Sequence, residues 1–342
     1  MLLLNQHFPM KLVLSPWLMH PHILEISPGF INVVLSSAWM AKCIESMLIN
    51  GIDSWAPKLS VKRAVVDFCS PNIAKEMHVG HLRSITIGDT LARMLEYSKV
   101  QVLRRNHVGD WGTQFGMLIE YLFEQFPGSD GSAVTAIRDL QSDGGFTYDT
   151  TDMAALWYRL NEEKAEWIIY VTEANQEGHF DRLFKAARKA DWLPSNDKTY
   201  PRASHVRFGQ VLGEGKDKEW TLEELNQTAE AVGYGALKYA DLKNNRSTDY
   251  SFSFDQMLND KGDTVVYLLR AHARICSIIR KSGKDIDELK KTGKLALDHA
   301  EERALGLHLL RFTETVEEAC TKLLPNVLCE YLYKLSKHCT KF

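Results

Sequence analysis

The chain has 342 residues, of which 45% are apolar, so it has enough material for two or three domains with buried cores. A formal net charge of -3 excludes a strong overall positive field, so a nucleic-acid partner would have to bind local basic patches. The six cysteines form no CxxC pair and no framework spacing, which predicts free or buried thiols in a reducing compartment.

The first residues of the chain contain short apolar runs that polar residues such as Asn5, His7 and Lys11 interrupt. No run approaches the roughly 20 apolar residues of a membrane span, and there is no signal-peptide pattern. We therefore expect no membrane partner and a cytoplasmic location. A strand near residues 28–35 and a helix over 38–49 follow, and these two elements cannot close a core by themselves.

The next segment places two histidines at a junction between a strand and a helix. An apolar run over 64–68 predicts a buried strand, the Ser-Pro-Asn at 70–72 ends it, and a helix begins near Gly80. The helical spacing predicts a buried face with Leu82 on it and places Arg83 on the outward face or towards a site. His78 and His81 therefore lie close to a helix N-terminus.

Such a junction is suited to an anion, because unpaired amide donors and the positive end of the helix dipole point towards it. His78 and His81 are three residues apart, and Gly80 between them would let a flat base or a phosphate approach the backbone. Surface histidines at a helix start, or a zinc pair at i and i+3, are the alternatives. The short motif alone leaves these readings open in about equal measure with a nucleotide site.

Further apolar runs predict an α/β domain with a parallel sheet. Strands are expected over 100–105, 167–171 and 205–212, with a helix over 180–189, so a ligand should bind at the carboxyl ends of the strands. From Thr221 onward the pattern predicts helices only. One of these helices should contain Leu309, Leu310, Val316, Cys320 and Leu323.

The stretch from Val65 to Leu82, continued by Asn106-His107-Val108-Gly109-Asp110-Trp111-Gly112, resembles the arginyl-tRNA synthetases, which are class I aminoacyl-tRNA synthetases, in their eukaryotic cytosolic form. His78-Val79-Gly80-His81 stands where that family has its HIGH signature, and Ser70 to Lys75 matches a run specific to the arginine enzymes. The resemblance implies a Rossmann-like α/β catalytic domain with a parallel sheet, followed by an all-α anticodon-binding bundle.

The resemblance also implies a reaction: a monomer would use ATP with Mg²⁺ to convert L-arginine to arginyl-adenylate and transfer it to tRNA(Arg), without a prosthetic group or a protein-bound metal. In the family, tRNA is needed even for the first step. The implied catalytic residues are His78, His81 and Lys75. ATP binding is implied for His78, Gly80, His81, His205 and Phe208, and arginine binding for Asp67, Ser70, Asn72, Tyr148, Asp152 and Gln176.

A guanidinium is a planar fork of donors that requires a carboxylate with bidentate geometry. Tyr148 and Asp152 are one helical turn apart, so they can converge on one ligand. Without the resemblance, Asp152 would be interpreted as a helix cap or a solvated acid, and Lys75 as a solvated lysine. Arg207 stands where the family has a small residue, next to the implied adenine site.

Four regions are expected. Residues 1–60 would be a remnant of an N-terminal additional domain, 61–220 the catalytic domain, 221–268 a connecting helical region, and 269–342 the anticodon-binding domain. Basic residues cluster near the start of the last region: Arg270, Arg274, Arg280, Lys281, Lys284, Lys290, Lys291 and Lys294. Two interpretations of this cluster remain open, a patch that faces phosphates and a solvated helix face with interleaved acids.

The chain departs from the family where a KMSKS-like loop should grip the pyrophosphate, since only Gly213 to Glu219 stands there. A second shortening falls between residues 130 and 142, and the bundle is expected to lack its last helices, as in a truncated copy. We therefore expect reduced catalysis. The alternatives are a non-catalytic paralogue or fragment that binds ATP, arginine or other proteins, and another nucleotidyltransferase with an HxGH site.

Overall fold

The computed structural model describes residues 26–27, 30–31, 35–71, 79–107, 148–196, 198–209, 211–212, 223–251 and 253–341. The chain forms two compact units. The sheet unit consists of residues 57–267 and 315–330, and the helical unit of 1–56, 268–314 and 331–342. Of the predicted site residues, Lys75, Asn72 and His78 lie outside the described residues, as does the loop over 213–219.

The sheet unit is built on four parallel strands in the order β4-β3-β5-β6. Their bounds are Arg63–Phe68 (β3), Gln101–Arg105 (β4), Trp167–Glu173 (β5) and Arg202–Phe208 (β6). Asp67 is paired with Arg105 on one side and with Tyr170 on the other. Because all four strands run in the same direction, their carboxyl ends meet at one edge. The predicted α/β fold with a parallel sheet is confirmed.

Helices cover both faces of this sheet. Val65 and Ile168 belong to one buried cluster with Leu156 and Leu183, which lie on two following helices. Phe68, on the opposite face from Val65, contacts Gly88 of the first long helix. The helices of the sheet unit are Val79–Tyr97 (α2), Tyr148–Asn161 (α3), Glu177–Lys189 (α4), Glu223–Leu242 (α5) and Phe254–Met257 (α6).

The helical unit contains a short strand pair and several helices, and some of these helices also include residues of the sheet unit. Its strands are Ile26–Ser27 (β1) and Phe30–Ile31 (β2), an antiparallel pair, and its helices include Ser37–Asn50 (α1), most of Val265–Ser282 (α7), Ile286–Thr292 (α8) and Ala300–Leu310 (α9). Phe312–Lys322 (α10) and Pro325–Thr340 (α11) complete the chain. Met40, Ala41 and Ile44 of α1 pack with Leu297 in its core. Among the described helices, none is long and apolar enough to cross a membrane.

Three predictions about the C-terminal half are wrong. The strand predicted over 205–212 ends at Phe208 and resumes as a separate pair, because Gly209 donates its N–H to the Arg246 carbonyl at 2.9 Å and its carbonyl accepts from Arg83. Val211–Leu212 (β7) then pairs in parallel with Tyr250–Ser251 (β8), so the region after Thr221 is not purely helical. The single helix predicted around Val316 is interrupted at Arg311, which caps α9.

The predicted orientation of α2 is also wrong at its start. Leu82 is 40% exposed, whereas Arg83 is only 2% exposed. Arg83 is buried because Asp241 and several carbonyl oxygens satisfy its guanidinium, so the burial of a charge is compensated by specific partners. From Gly88 to Leu95 the predicted apolar face is confirmed.

The close approach of α2 to β3 generates a prediction about two helical glycines. A methyl group at Gly88 would overlap with Cβ and Cγ of Phe68, whereas nothing lies within 4 Å of the corresponding position at Gly233 of α5. We expect Gly88→Ala to lower the free energy of unfolding by about 1–3 kcal/mol through overpacking, and Gly233→Ala to raise it by up to about 1 kcal/mol through helix propensity. Urea denaturation of both variants measures this. Equal effects at the two positions would contradict the predicted packing.

Candidate active site at the carboxyl edge of the sheet

The first turn of α2 contains two of the predicted nucleotide-binding residues. Gly80 and His81 are the second and third residues of this helix, and both are partly buried. The dipole of a helix favours an anion at its N-terminus, so the predicted anion site at this position stays a prediction. Lys75, Asn72 and His78 lie outside the described residues, so their positions stay predictions.

Asp67 lies at the end of β3 and is only 4% exposed. Its Oδ2 forms an ion pair with the Arg159 guanidinium at 2.6 Å, and its Oδ1 accepts a hydrogen bond from Ser70 Oγ at 2.8 Å. Arg159, in the last turn of α3, also lies over the Tyr170 ring at 5.1 Å. Burial lowers the pKa of Arg159, but Tyr170 and Asp67 outweigh it and raise the pKa above its ordinary value.

The turn after β3 is held by hydrogen bonds to neighbouring elements. Cys69 has a positive φ of 54° and donates its N–H to Ser84 Oγ at 3.0 Å. Ser84 in turn donates to the Val171 carbonyl at 2.8 Å. Ser70 Oγ, which donates to Asp67, accepts a hydrogen bond from the His107 N–H at 2.9 Å, so the ends of β3 and β4 are connected.

Asp152 lies in the second turn of α3 and is approached by two imidazoles. His179 of α4 hydrogen-bonds through Nε2 to Oδ2 at 2.6 Å, and His107 Nε2 lies 3.3 Å from Oδ1. Because Asp152 is inside the helix, it is not the N-terminal cap considered from the sequence. The spacing predicted for Tyr148 and Asp152 is confirmed in that both belong to α3, which begins at Tyr148.

These contacts form a closed chain that we call the acid circuit. It runs from Asp67 through Ser70 and His107 to Asp152, and returns along α3 through Arg159 to Asp67. Three predicted arginine-binding residues are thereby connected. The two connecting residues were missed, although His107 follows the carboxyl end of β4 and Arg159 is two helical turns after Asp152, which are the signals that could have indicated them.

His205 and Phe208, the predicted adenine-side residues, lie on β6 but in different surroundings. The His205 ring stacks on Phe180 with centroids 4.6 Å apart, and its Nε2 lies 2.8 Å from Thr172 Oγ1. Burial lowers the pKa of His205 to about 4, against the opposing charge of Glu177. Phe208 is 2% exposed, and the Arg83 guanidinium carbon lies over its ring at 5.8 Å from the ring centroid.

Gln176 is exposed at the end of a short 3-10 turn, Ala174–Gln176, where it precedes α4. It therefore lies after the carboxyl end of β5, on the same edge as the acid circuit. Arg207 forms an ion pair with Glu177, which accounts for a large side chain at that position.

Arg83 connects α2 to the segment that follows β6 and to α5. Its Nε lies 2.9 Å from Asp241 Oδ1, and its terminal nitrogens donate to the carbonyls of Gly209, Arg246 and Thr248. Burial raises the pKa of Asp241 to about 6, although Arg83 and a hydrogen bond with Tyr250 act in the opposite direction. This cluster fixes the helix that carries Gly80 and His81.

Comparison with known protein families gives two matches that together cover most of the chain. The family described as tRNA synthetases class I (R), catalytic domain, matches in three consecutive pieces, residues 43–142, 137–221 and 214–254. The DALR anticodon binding domain matches residues 268–342. The breaks between the three pieces fall where the sequence indicated internal shortening.

Two relatives from Arabidopsis thaliana are highly similar. The chloroplastic/mitochondrial arginine–tRNA ligase is 57% identical, with 92% of this chain and 71% of the relative covered, and the cytoplasmic enzyme is 56% identical, with 92% and 77% covered. Each alignment runs over 455 residues, which exceeds the 342 residues of the chain, so part of each relative has no counterpart here.

Solved structures agree with this similarity. Arginyl-tRNA synthetase from Plasmodium falciparum matches with a TM-score of 0.73 and 29% identity, over 94% of this chain and 78% of that chain. The Thermus thermophilus arginyl-tRNA synthetase matches with a TM-score of 0.68 over 94% and 80%, and at 20% identity it supports the fold alone.

The lowered pKa of His205 predicts how acid affects stability. The unfolded imidazole takes up its proton near pH 6.5 and the folded one only near pH 4, so the free energy of unfolding falls as the pH decreases through this range. We expect His205→Gln to make this decrease shallower, because glutamine does not titrate. Urea midpoints at pH 7, 6 and 5 measure it.

The control for this experiment is Asp241→Asn. The pKa of Asp241 is raised from 3.8 to about 6, so its folded form binds a proton first and gains stability as the pH falls from 6 towards 4. Removing Asp241 should therefore steepen the decrease in acid. Parallel pH profiles for the wild type and His205→Gln would show that the His205 prediction is wrong.

Proposed function

The chain belongs to the arginyl-tRNA synthetase family, and from this premise we propose that it activates L-arginine with ATP and transfers it to tRNA(Arg) at the carboxyl edge of the sheet. The observation that carries the proposal is the acid circuit, which presents the Asp152 carboxylate on the same edge as the first turn of α2. The Asp152 carboxylate suits a guanidinium, and the first turn of α2 suits a phosphate.

The reaction has two steps. An oxygen of the arginine carboxylate attacks the α-phosphorus of ATP and pyrophosphate leaves. A ribose hydroxyl of the terminal tRNA adenosine then attacks the activated carbonyl carbon, and AMP leaves. Negative charge increases on the phosphate oxygens in the first transition state. We assign His81, with His78 and Lys75, to stabilise that charge, together with the amide donors at the start of α2.

Residues that share the carboxyl edge are assigned to the two substrates. Asp152 and Tyr148 would bind the guanidinium, while Ser70 and Asn72 would hold the amino-acid backbone. Asp67 is engaged by Arg159, so we assign it to the arginine site through Ser70, which it orients, and not through a direct contact with the substrate guanidinium. Gln176 would extend the arginine site, and ATP would contact His78, Gly80, His81, His205 and Phe208, with Mg²⁺ offsetting phosphate charge.

The organisation of the chain is part of the proposal. We propose a catalytic region over 61–220, a connecting region over 221–268 and an anticodon-binding region over 269–342, with 1–60 as an additional segment. The match over 268–342 supports the last region, whereas the catalytic match over 43–254 spans the catalytic and connecting regions together. We propose a monomer. A cytoplasmic location is supported by the cytoplasmic relatives from A. thaliana and Homo sapiens.

The loop that should follow β7 decides how active this chain is. Its sequence between Gly213 and Glu219 contains Lys216 and Lys218, but neither has the spacing of a KMSKS-like signature. Without a loop to grip the pyrophosphate, charge on the leaving group is offset less well in the transition state. The comparisons give no support to the alternative of a non-catalytic paralogue, so we propose an enzyme with a reduced rate.

This predicts the outcome of an aminoacylation assay. With labelled arginine, ATP, Mg²⁺ and tRNA(Arg), we expect turnover at least about 100-fold below that of the A. thaliana cytoplasmic enzyme, and no pyrophosphate exchange when tRNA is omitted. Inserting the corresponding segment of that relative after Leu212 should recover most of the rate. Turnover close to that of the relative in the unmodified chain would show that the missing loop matters little.

The role of Asp152 is tested by Asp152→Asn. Replacing the carboxylate with an amide removes the charge that pairs with the guanidinium, and we expect the dissociation constant for arginine to rise by about thirtyfold or more. Equilibrium dialysis with labelled arginine measures it. Asp181→Asn, which alters an exposed acid on α4, is the matched control and should bind arginine like the wild type. Unchanged binding by Asp152→Asn would overturn the assignment of the arginine site.

A further inference from the structure

Both oxygens of the Asp152 carboxylate are approached by imidazoles from different elements, one from the end of β4 and one from α4. We propose that His107 and His179 are positioning residues that fix the direction of this carboxylate and thereby determine the preference of the site for a guanidinium over an ammonium. The proposal rests on the proposed function, because it requires Asp152 to bind the side chain of the substrate.

The argument begins with the acceptor capacity of a carboxylate. Its two oxygens offer about four lone-pair sites in one plane. The Nε2–H of His179 takes one site on Oδ2, and His107 Nε2 lies 3.3 Å from Oδ1, so each oxygen has one imidazole beside it. Among the described residues, these two contacts leave one site on each oxygen, and two parallel acceptors are what the fork of a guanidinium needs.

The two imidazoles are themselves held in place. His107 is fixed through its backbone, which donates to Ser70 Oγ, and Ser70 is fixed by Asp67. The ring of His179 meets Phe180 edge-on with centroids 5.3 Å apart, and Phe180 packs against Tyr170 at 4.8 Å. The carboxylate is therefore held from two directions by residues whose own conformations are restricted.

The groups around Asp152 allow the imidazoles to orient its carboxylate while the ligand pairs with its charge. Arg159 forms an ion pair with Asp67. The net charge of this neighbouring pair is therefore zero. An imidazole can donate a hydrogen bond without carrying a charge, whereas lysine or arginine at the same positions would neutralise Asp152. Histidine therefore orients the carboxylate and leaves its charge for a cationic ligand.

A freely rotating carboxylate would still attract any cation, because an ammonium is a compact point charge that needs no defined plane. Only the planar fork of arginine gains from a fixed carboxylate. Loss of the positioning contacts should therefore weaken arginine binding more than lysine binding, which a general loss of structure would not do.

The test uses the full chain with substitutions at His179. His179→Leu keeps bulk but removes the donor, and we expect the dissociation constant for arginine to rise about tenfold, with lysine affinity, measured by competition against labelled arginine, nearly unchanged. His179→Gln keeps a donor near the position of Nε2 and should recover most of the affinity. His107→Leu should have a smaller effect, because its contact is longer.

Lys185→Gln, an exposed change on the same helix, is the matched control, and ATP affinity is measured in parallel as a readout that these variants should not change. Equal losses for arginine and lysine in His179→Leu, or no loss for either, would overturn the positioning proposal while leaving Asp152→Asn to test the site itself. If His179→Leu does not fold, a more than tenfold loss of arginine affinity in a folded His179→Gln would overturn it as well.

Discussion

The buried ion pair between Asp67 and Arg159 is the contact on which the candidate site depends. Both side chains are almost inaccessible to solvent, so the cost of removing two charges from water has to be offset by direct contacts. The pairing itself, the hydrogen bond from Ser70 and the Tyr170 ring supply these contacts. Removing one partner of such a pair costs about 3–5 kcal/mol, because the other charge stays buried alone. The pair also fixes α3 against β3, and α3 is the helix that carries Asp152.

A second buried guanidinium, that of Arg83, has the same role for the nucleotide side of the edge. It joins α2 to α5 through Asp241 and to the segment after β6 through the carbonyl of Gly209. The sequence pattern placed Arg83 outward or towards a site, because helical periodicity treats a charged residue as one that does not join the buried face. That rule fails where distant parts of the chain supply an ion pair and several carbonyl acceptors for a buried guanidinium. The failure falls two residues from His81, in the helix that we propose to bind the phosphates.

Local sequence patterns were sufficient to predict the parallel sheet and the strands β3, β4 and β5, but not the break after Phe208 or the pair of β7 with β8. The family resemblance selected Asp67, Ser70 and Asp152, and the acid circuit brings these three residues together. Their partners could not be predicted in the same way. His107 and Arg159 belong to other elements, and only the packing of those elements determines which of their atoms meet. A resemblance identifies which residues a family uses, whereas tertiary contacts determine what holds them.

The two acids of the circuit differ in their partners, since Asp67 contacts an arginine and Asp152 contacts two imidazoles, and this difference supports the proposal that Asp152 binds the cationic substrate. Asp67 is neutralised by an arginine of the chain itself, so bringing another guanidinium to it would add positive charge to a balanced pair. Asp152 has imidazole neighbours, which can donate hydrogen bonds in an uncharged form. A site that recognises arginine and also contains a buried arginine must separate the two guanidinium groups. In the proposed site each guanidinium would have its own carboxylate, the buried Asp67 for Arg159 and the partly exposed Asp152 for the substrate.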